Sequence, residues 1–140
     1  MSPAEKICFA LYSANHAMQR VYQPLLSPLG LTYPQFLVMA ALWTEDAQTV
    51  GTLGRTLLLE SNTLTPLLKR MESQGLLTRA RVPEDERQVR VTLTQAGRAL
   101  QSEADRISTC FFDACGLPAQ DLTDLRDRIT ALRDRLQSAV

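Results

Sequence analysis

The segment TLTPLLKRMESQGLLTRARVPEDERQVRVTLT, residues 63 to 94, changes its hydrophobic pattern part-way along its length. Its first part repeats apolar side chains at three- and four-residue steps, the spacing of one helix face: Leu64, Leu67, Leu68 and Met71. Ser61 or Asn62, just before it, is a suitable N-cap, and Gly75 fits the end of a helix. Residues 76 to 94 then alternate apolar and polar side chains around the polar tip PEDE. The segment therefore predicts a short helix followed by a β-hairpin.

The sequence before this segment predicts three further helices. Residues 7 to 25 carry an apolar stripe that we expect to face the core, formed by Ile7, Leu11, Ala14, Met18, Val21 and Leu25. Residues 32 to 43 hold Pro34 near a first helical turn, which is a favoured position for proline. Thr49 is a suitable N-cap for a short third helix.

The sequence after the hairpin predicts two long helices. Thr94 is expected to cap the first of them, which begins TQAGRALQSEADRI. A break near Gly116 and Pro118 separates it from a terminal helix. The apolar stripe of that terminal helix consists of Leu122, Leu125, Ile129, Leu132 and Leu136.

The order of these elements, two short helices, a turn and a hairpin, is typical of a winged helix-turn-helix. With 140 residues and no low-complexity linker, the chain has the length of one domain, residues 1–140. We therefore expect a mainly α fold with a small β-hairpin wing. Helix-turn-helix geometry also occurs in domains that bind proteins, so this pattern alone leaves DNA and protein partners open.

Polar and basic side chains in and around the deciding segment suit a DNA-binding surface. Short hydroxyl and amide side chains near the start of the second short helix can reach base edges and phosphates: Ser61, Asn62, Thr63 and Thr65. Lys69 and Arg70 suit phosphates, and the hairpin carries Arg79, Arg81, Arg87 and Arg90. The whole chain has 15 basic and 15 acidic residues, and residues 55 to 90 carry an excess of only two positive charges, so charge supports this surface only weakly.

The first predicted helix carries a second stripe beside its apolar one. This stripe recurs at four- and three-residue steps and consists of Cys8, Tyr12, Asn15, Gln19 and Tyr22. A phenol can donate a hydrogen bond to a thiolate, and a stabilised, accessible thiolate is what peroxide attacks. The stripe is compatible with a peroxide-sensing thiol. By itself the spacing favours the alternative, an inert, buried cysteine among aromatic core residues.

The sequence resembles the MarR family of transcriptional regulators and, within it, the organic-hydroperoxide-sensing OhrR branch. The matching segments are ICFALYSAN, PLLSPLGLTYPQFLVMAALW, TLTPLLKRMESQGLLTRARVPEDERQV and VTLTQAGRAL, which cover most of residues 7 to 100. The hairpin tip DER and the valine-rich strand after it are common to the wider family. The segments CFALY and GLTYPQ are more specific and select the peroxide-sensing branch.

The resemblance implies a homodimeric repressor that binds an inverted repeat in double-stranded DNA. Residues 1–31 and 95–140 would form the dimerisation helices, and residues 32–94 the winged helix-turn-helix. Residues 61 to 65, with Lys69, lie on the matching recognition helix. Asp85 and Arg87 lie in the matching wing.

The resemblance also implies redox roles. Cys8 matches the peroxide-sensing cysteine, and the tyrosines that hydrogen-bond it, some from the partner subunit, match Tyr12, Tyr22 and Tyr33. Organic hydroperoxide, the implied inducer, would oxidise the Cys8 thiolate to a sulfenic acid, which would form an intersubunit disulfide with Cys110 or Cys115. We favour Cys110. A small thiol as the reaction partner, and a structural role for either distal cysteine, stay open.

Three residues near the recognition helix depart from the family pattern. Leu58 stands where the family has an aromatic residue, Glu60 where it has a shorter acid, and Asn62 where a small residue is usual. A carboxylate at this place favours the helix dipole but repels a phosphate that comes close. We therefore expect an altered operator preference.

Several other functions find little support in the sequence. His16 is the only histidine and has no ligand set around it, so we expect it to pack on the first helix and expect no metal or other cofactor. No window is apolar enough to span a membrane and the start lacks a secretion signal, so we expect a cytoplasmic protein that is not an enzyme. Two alternatives are a repressor released by a small aromatic ligand and a thiol peroxidase in which Cys8 turns over.

Overall fold

A computed structural model describes residues 1–140 and contains seven α-helices and one three-stranded antiparallel sheet. The helices are α1 (Ile7–Leu26), α2 (Tyr33–Thr44), α3 (Val50–Leu57), α4 (Ser61–Ser73), α5 (Gln95–Ala99), α6 (Gln101–Cys115) and α7 (Ala119–Ser138). The strands are β1 (Gln48–Thr49), β2 (Leu77–Val82) and β3 (Asp85–Leu93), in the sheet order β1-β3-β2. The predicted fold class, a mainly α chain with a winged helix-turn-helix, is confirmed.

Two compact units make up the chain, residues 1–107 and residues 108–140. The first unit extends from the N-terminus into α6, and the second holds the end of α6 and α7. No single helix combines the length and apolar character needed to cross a membrane. One bent pair, residues 7–29 with α2 at an angle of 70°, reaches that threshold by length and composition alone.

The core of the first unit forms where α2, α3 and α4 pack together and against the sheet. Its fully buried side chains include Val38, Met39, Leu42, Leu53, Leu64, Leu68, Met71, Leu77, Val91 and Ile107. Each large aliphatic side chain buried in this way contributes roughly 1.5–3 kcal/mol of transfer free energy. Leu64, Leu68 and Met71 are buried, as predicted for the inner face of α4, whereas Leu67 is only half-buried.

A tight turn connects α3 to α4. The Thr49 hydroxyl accepts the Thr52 amide at 3.2 Å and caps α3 as predicted. Leu58 adopts a left-handed conformation with a φ of 58°, which turns the chain sharply. A Cβ on Gly54 would lie 2.8 Å from the Leu59 carbonyl oxygen, so only glycine allows this close approach. The turn sets the crossing of the two helices in the motif.

The start of α4 differs from the prediction. Its N-cap is Glu60, not Ser61 or Asn62, and no side chain makes a capping hydrogen bond. The Glu60 carbonyl accepts the amides of Thr63 and Leu64 at 3.0 and 2.9 Å. Because this carbonyl accepts the first hydrogen bonds of the helix, α4 begins earlier than the polar side chains suggested.

The long helix predicted after the hairpin is interrupted. Thr94 caps α5 as expected, but α5 ends at Ala99 and α6 begins at Gln101. In a continuous helix the Gly97 carbonyl would accept the Gln101 amide. It instead accepts the indole N–H of Trp43 at 2.9 Å. This tertiary hydrogen bond lies at the break between α5 and α6.

The predicted hairpin forms the wing, with Leu77 opposite Leu93. Its tip is tighter than predicted, because only two residues separate β2 from β3. The strand β1 adds a third member to the sheet by pairing Gln48 with Val91. The sequence did not predict β1, since two residues are too few to show an alternating pattern.

The apolar stripe of α1 does not face a core along most of its length, so that expectation is wrong for its N-terminal half. Ile7 is 65% exposed, and the only buried residues of α1 are Tyr22 and Leu26. The stripe of α7 is also open, with Leu125 and Ile129 exposed and no residue of the helix buried. The single chain therefore leaves two apolar helix faces without a partner.

Candidate functional site

The first turn of α4 presents polar side chains to solvent. Ser61, Asn62 and Thr63 are exposed, and Thr65 is half-buried. Leu64 lies between them and is fully buried, which fixes the direction of its neighbours. The predicted base-reading side chains therefore share one accessible surface at a helix N-terminus, where backbone N–H groups also favour anions.

Two basic residues extend this surface along α4. Lys69 and Arg70 are exposed. Neither side chain has an ion-pair or hydrogen-bond partner within the chain. An unpaired cation can neutralise a phosphate without first breaking an internal salt bridge. Both residues are thus available for the predicted phosphate contacts.

The wing tip holds the predicted pair Asp85 and Arg87 together. Arg87 donates from Nε to Asp85 Oδ1 at 3.0 Å and from Nη2 to Oδ2 at 3.3 Å, while its own side chain stays 90% exposed. The hydrogen bonds from Arg87 lower the pKa of Asp85. Asp85 therefore orients a guanidinium that remains open to an outside partner.

A second ion pair joins α4 to β2. Arg79 donates from Nε and Nη2 to Glu72 Oε1 at 3.2 and 3.0 Å, and its backbone amide donates to Oε2 at 3.0 Å. The side-chain hydrogen bond from Arg79 is the main cause that lowers the pKa of Glu72. Arg79 is thus held against the recognition helix. The sequence had placed it among the arginines of the hairpin without predicting this contact.

We expect Glu72→Gln to lower stability at neutral pH and to weaken the acid dependence of folding. Because the folded-state pKa of Glu72 lies below its ordinary value of 4.5, its carboxylate contributes stability above that value. The contribution is lost as pH falls through the folded-state pKa. Urea midpoints at about pH 7 and about pH 3 should therefore differ less in the variant than in the wild type. Glu84→Gln, at the exposed wing tip, is the control, and an equal loss at both pH values would contradict this role.

The thiol of Cys8 is exposed in the first turn of α1. Tyr12 follows one turn later and is 60% exposed, with its ring centroid 4.3 Å from that of His16. His16 therefore packs along α1 as predicted. No group of three or more potential metal ligands occurs in residues 1–140.

The other two tyrosines meet at the opposite end of α1. Tyr22 is buried, and its ring centroid lies 4.8 Å from that of Tyr33 and 6.0 Å from that of Phe36. A cavity of about 470 Å³ opens beside both tyrosines and is also lined by Arg20 and Leu31. Burial raises the pKa of Tyr33, so its phenol stays protonated and able to donate a hydrogen bond.

One chain does not bring all the predicted sensor residues together. Cys8 and Tyr22 are 14 residues apart on one helix, which is about 21 Å at about 1.5 Å per residue. The structure therefore separates the predicted sensor residues into two pairs, Cys8 with Tyr12 near the start of α1 and Tyr22 with Tyr33 near its end.

The two distal cysteines lie on α6. Cys110 and Cys115 are half-buried, and both are free thiols, as is Cys8. Cys115 is the last residue of the helix, next to the predicted break at Gly116, which has a left-handed φ of 65°. Phe112, which is exposed, lies between the two cysteines on the same helix.

Comparisons with known proteins identify the kind of molecule that carries these surfaces. The family model of the transcriptional regulator SarA/Rot matches residues 20–104. The organic hydroperoxide resistance transcriptional regulator of Bacillus subtilis (strain 168) is 40% identical over 136 residues, which are 97% of this chain and 92% of the relative. The chain belongs to the MarR-type, SarA/Rot-like family of transcriptional regulators. The resemblance noted in the sequence is confirmed.

Solved structures support the assignment of this MarR-type regulator. Reduced AbfR bound to DNA has a TM-score of 0.81 and 35% identity, with 95% of this chain and 92% of that chain covered. Disulfide-formed AbfR has a TM-score of 0.66 and 36% identity, with 92% and 90% covered. AbfR is a protein of Staphylococcus epidermidis. The regulator therefore resembles a protein that is known both on DNA and with a disulfide.

Proposed function

We propose that this regulator is a dimeric repressor that leaves its operator DNA when an organic hydroperoxide oxidises Cys8. The observation that carries the proposal is the exposed Cys8 thiol with Tyr12 one turn away, on a helix whose apolar face the chain leaves open. Reduced AbfR on DNA and AbfR with a disulfide support a redox switch of this kind. The name of the Bacillus subtilis relative supports an organic hydroperoxide as the oxidant.

The dimer would form through residues 1–31 and 95–140. The exposed apolar faces of α1 and α7 supply the surface that such an interface buries. A two-fold axis would also bring Cys8 and Tyr12 of one chain close to Tyr22 and Tyr33 of the second chain. The sensor cluster would therefore be complete only in the dimer.

The winged helix-turn-helix of residues 32–94 would bind one half of an inverted repeat. The exposed turn of Ser61, Asn62 and Thr63 suits base edges in the major groove, and Arg87 at the wing suits the adjacent minor groove. Two-fold symmetry of the protein matches the symmetry of such an operator. A DNA partner and three free thiols support action in the cytoplasm.

We expect Lys69→Ala to weaken binding to any DNA sequence by a similar factor. Because one phosphate contact releases counterions, the slope of log affinity against log salt should fall by about 0.9. Fluorescence anisotropy at several salt concentrations measures the slope. Arg126→Ala, which removes an exposed arginine of α7, is the matched control. An unchanged slope for Lys69→Ala would place the residue outside the DNA interface.

The oxidation step needs only the thiolate and the peroxide. The Cys8 thiolate attacks the peroxide oxygen distal to the organic group, the O–O bond breaks, and the products are the sulfenic acid and an alcohol once the alkoxide takes a proton. Sulfur is oxidised and the peroxide is reduced. In the dimer, the phenols of Tyr12, Tyr22 and Tyr33 would then lose the anion that accepts their hydrogen bonds.

The sulfenic acid would condense with the thiol of Cys110 or Cys115 of the partner chain. This reaction forms the S–S bond, and the sulfenic oxygen leaves as water. A disulfide requires the two Cα atoms to lie within about 7 Å, so α1 and α6 of the two chains must approach. We favour Cys110, because its position inside α6 transmits that movement through a helix.

A titration with organic hydroperoxide tests the proposal. We expect operator release to be complete at about one equivalent per Cys8, to reverse with dithiothreitol, and to involve no further peroxide consumption. Sustained consumption with the DNA still bound would favour the thiol peroxidase. Release that needs no oxidant would contradict the redox switch.

The cavity beside Tyr22 and Tyr33 favours one second candidate, a repressor released by a small aromatic ligand. Its volume of about 470 Å³ and the Arg20 side chain would accommodate an aromatic carboxylate. Such a ligand should release Cys8→Ser from DNA as readily as the wild type. Failure of the variant to respond to any ligand, together with its loss of the peroxide response, would exclude this candidate.

A further inference from the structure

Two glutamines connect the wall of the cavity to the end of the recognition helix. The Oε1 atom of Gln35 accepts the Thr32 amide at 3.1 Å, and its Nε2 donates to Gln74 Oε1 at 3.3 Å. Gln74 Nε2 donates in turn to the Gly30 carbonyl at 2.9 Å. Gln35 is only 4% exposed, so its amide depends on these partners. We call these four residues the glutamine relay.

The relay begins at the connection between α1 and α2. Gly30 and Thr32 both line the cavity, next to Tyr33. Gly30 adopts a left-handed φ of 71°, and Thr32 caps α2 in a reciprocal pair of hydrogen bonds with Gln35. The first half of the relay therefore lies in the short connection that follows the C-terminal end of α1.

The relay ends at the C-terminus of α4. Gln74 is the C-cap of that helix, and its backbone N–H donates to the Arg70 carbonyl at 3.0 Å. The next two residues hold the connection between β3 and α5, since Thr94 donates from Oγ1 to the Gly75 carbonyl at 2.6 Å and from its amide to the Leu76 carbonyl at 3.1 Å. Residues 74–76 therefore contact both connections by which the chain enters and leaves the winged helix-turn-helix.

We propose that the glutamine relay couples a displacement of α1, produced by oxidation of Cys8, to the position of the recognition helix. The inference rests on the proposed function. Gln35 and Gln74 are positioning residues and react with nothing themselves. The Gln35 side-chain amide is buried and is destabilising if it loses its partner, so the α1–α2 connection and the end of α4 move together. The Gly30 contact is made by one side chain, which makes this link removable without altering the backbone.

The variant Gln74→Ala tests the relay, and its exposed position allows it to fold. We expect the rate of Cys8 oxidation to match the wild type. The ratio of the operator Kd in the oxidised state to that in the reduced state should fall by about fivefold or more. The matched control is Gln48→Ala, which removes two side-chain hydrogen bonds to the Ala41 and Glu45 carbonyls but leaves the relay intact. That control should keep the wild-type ratio.

Three results separate the possible failures. A wild-type Kd ratio in Gln74→Ala would overturn the relay, as would a changed rate of Cys8 oxidation. The variant Gln74→Glu keeps the oxygen that accepts from Gln35 but loses the N–H that donates to Gly30. It should therefore lose the coupling too. It replaces Gln74→Ala in the test if that variant unfolds. If oxidised wild-type protein keeps its operator, the proposed function itself fails and the relay falls with it.

Discussion

The variant Cys8→Ser is expected to bind operator DNA as tightly as the wild type and to keep it in the presence of organic hydroperoxide. The serine hydroxyl cannot form a sulfenic acid, and Cys8 is exposed in the chain, so the substitution leaves the fold unchanged. We expect the wild-type Kd for the operator to rise by about tenfold or more on oxidation, and that of the variant by less than about twofold. Fluorescence anisotropy with a labelled operator measures both values.

The control for this experiment is Cys115→Ser, which should bind DNA when reduced and should respond to peroxide if Cys110 is the resolving cysteine. Release of Cys8→Ser by peroxide would show that another group senses the oxidant. Failure of reduced Cys8→Ser to bind DNA would show that the thiolate itself is needed for the binding conformation.

The variant Gly97→Ala is expected to lose about 3 kcal/mol or more of its free energy of unfolding. A Cβ at this position would lie 2.1 Å from the Leu76 carbonyl oxygen and 3.1 Å from its carbon, and both obstructing atoms are backbone. The clash lies at the junction of α4, β2 and α5, so neither side can move without disturbing the motif. Urea unfolding followed by circular dichroism measures the loss.

The matched control is Gly51→Ala on α3. Its new Cβ would meet nothing closer than 3.6 Å, and the nearest atom belongs to the flexible Arg55 side chain. Alanine favours a helix over glycine by roughly 0.5–1 kcal/mol, so this variant should be slightly more stable than the wild type. Equal stability of the two variants would contradict the close approach at Gly97.

The recognition helix and the wing could be predicted because their signals are local. The helical spacing of Leu64, Leu68 and Met71 and the alternation of the hairpin each repeat several times within a few residues. The errors occur where tertiary contacts decide. The predicted long helix breaks where the Trp43 indole bonds the Gly97 carbonyl, 54 residues away, and the N-cap of α4 is Glu60, just after the turn at Leu58.

The candidate site was predictable only in part for the same reason. The step of four residues from Cys8 to Tyr12 is visible in the sequence, and so is the position of Tyr22 on the same helix. The contact of Tyr22 with Tyr33 depends on the turn at Gly30, and Gln35 and Gln74 are 39 residues apart with no periodic signal. The open face of α1 was predicted as a core stripe, because apolar periodicity does not distinguish a core from an interface.

Non-reducing electrophoresis, with operator binding measured on the same samples, tests the redox switch most directly. Wild type, Cys8→Ser, Cys110→Ser and Cys115→Ser are compared before and after about one equivalent of organic hydroperoxide. We predict a covalent dimer that requires Cys8 and one distal cysteine and that forms as the operator is released. Operator release that proceeds equally well in Cys8→Ser, with or without a covalent dimer, would contradict the switch.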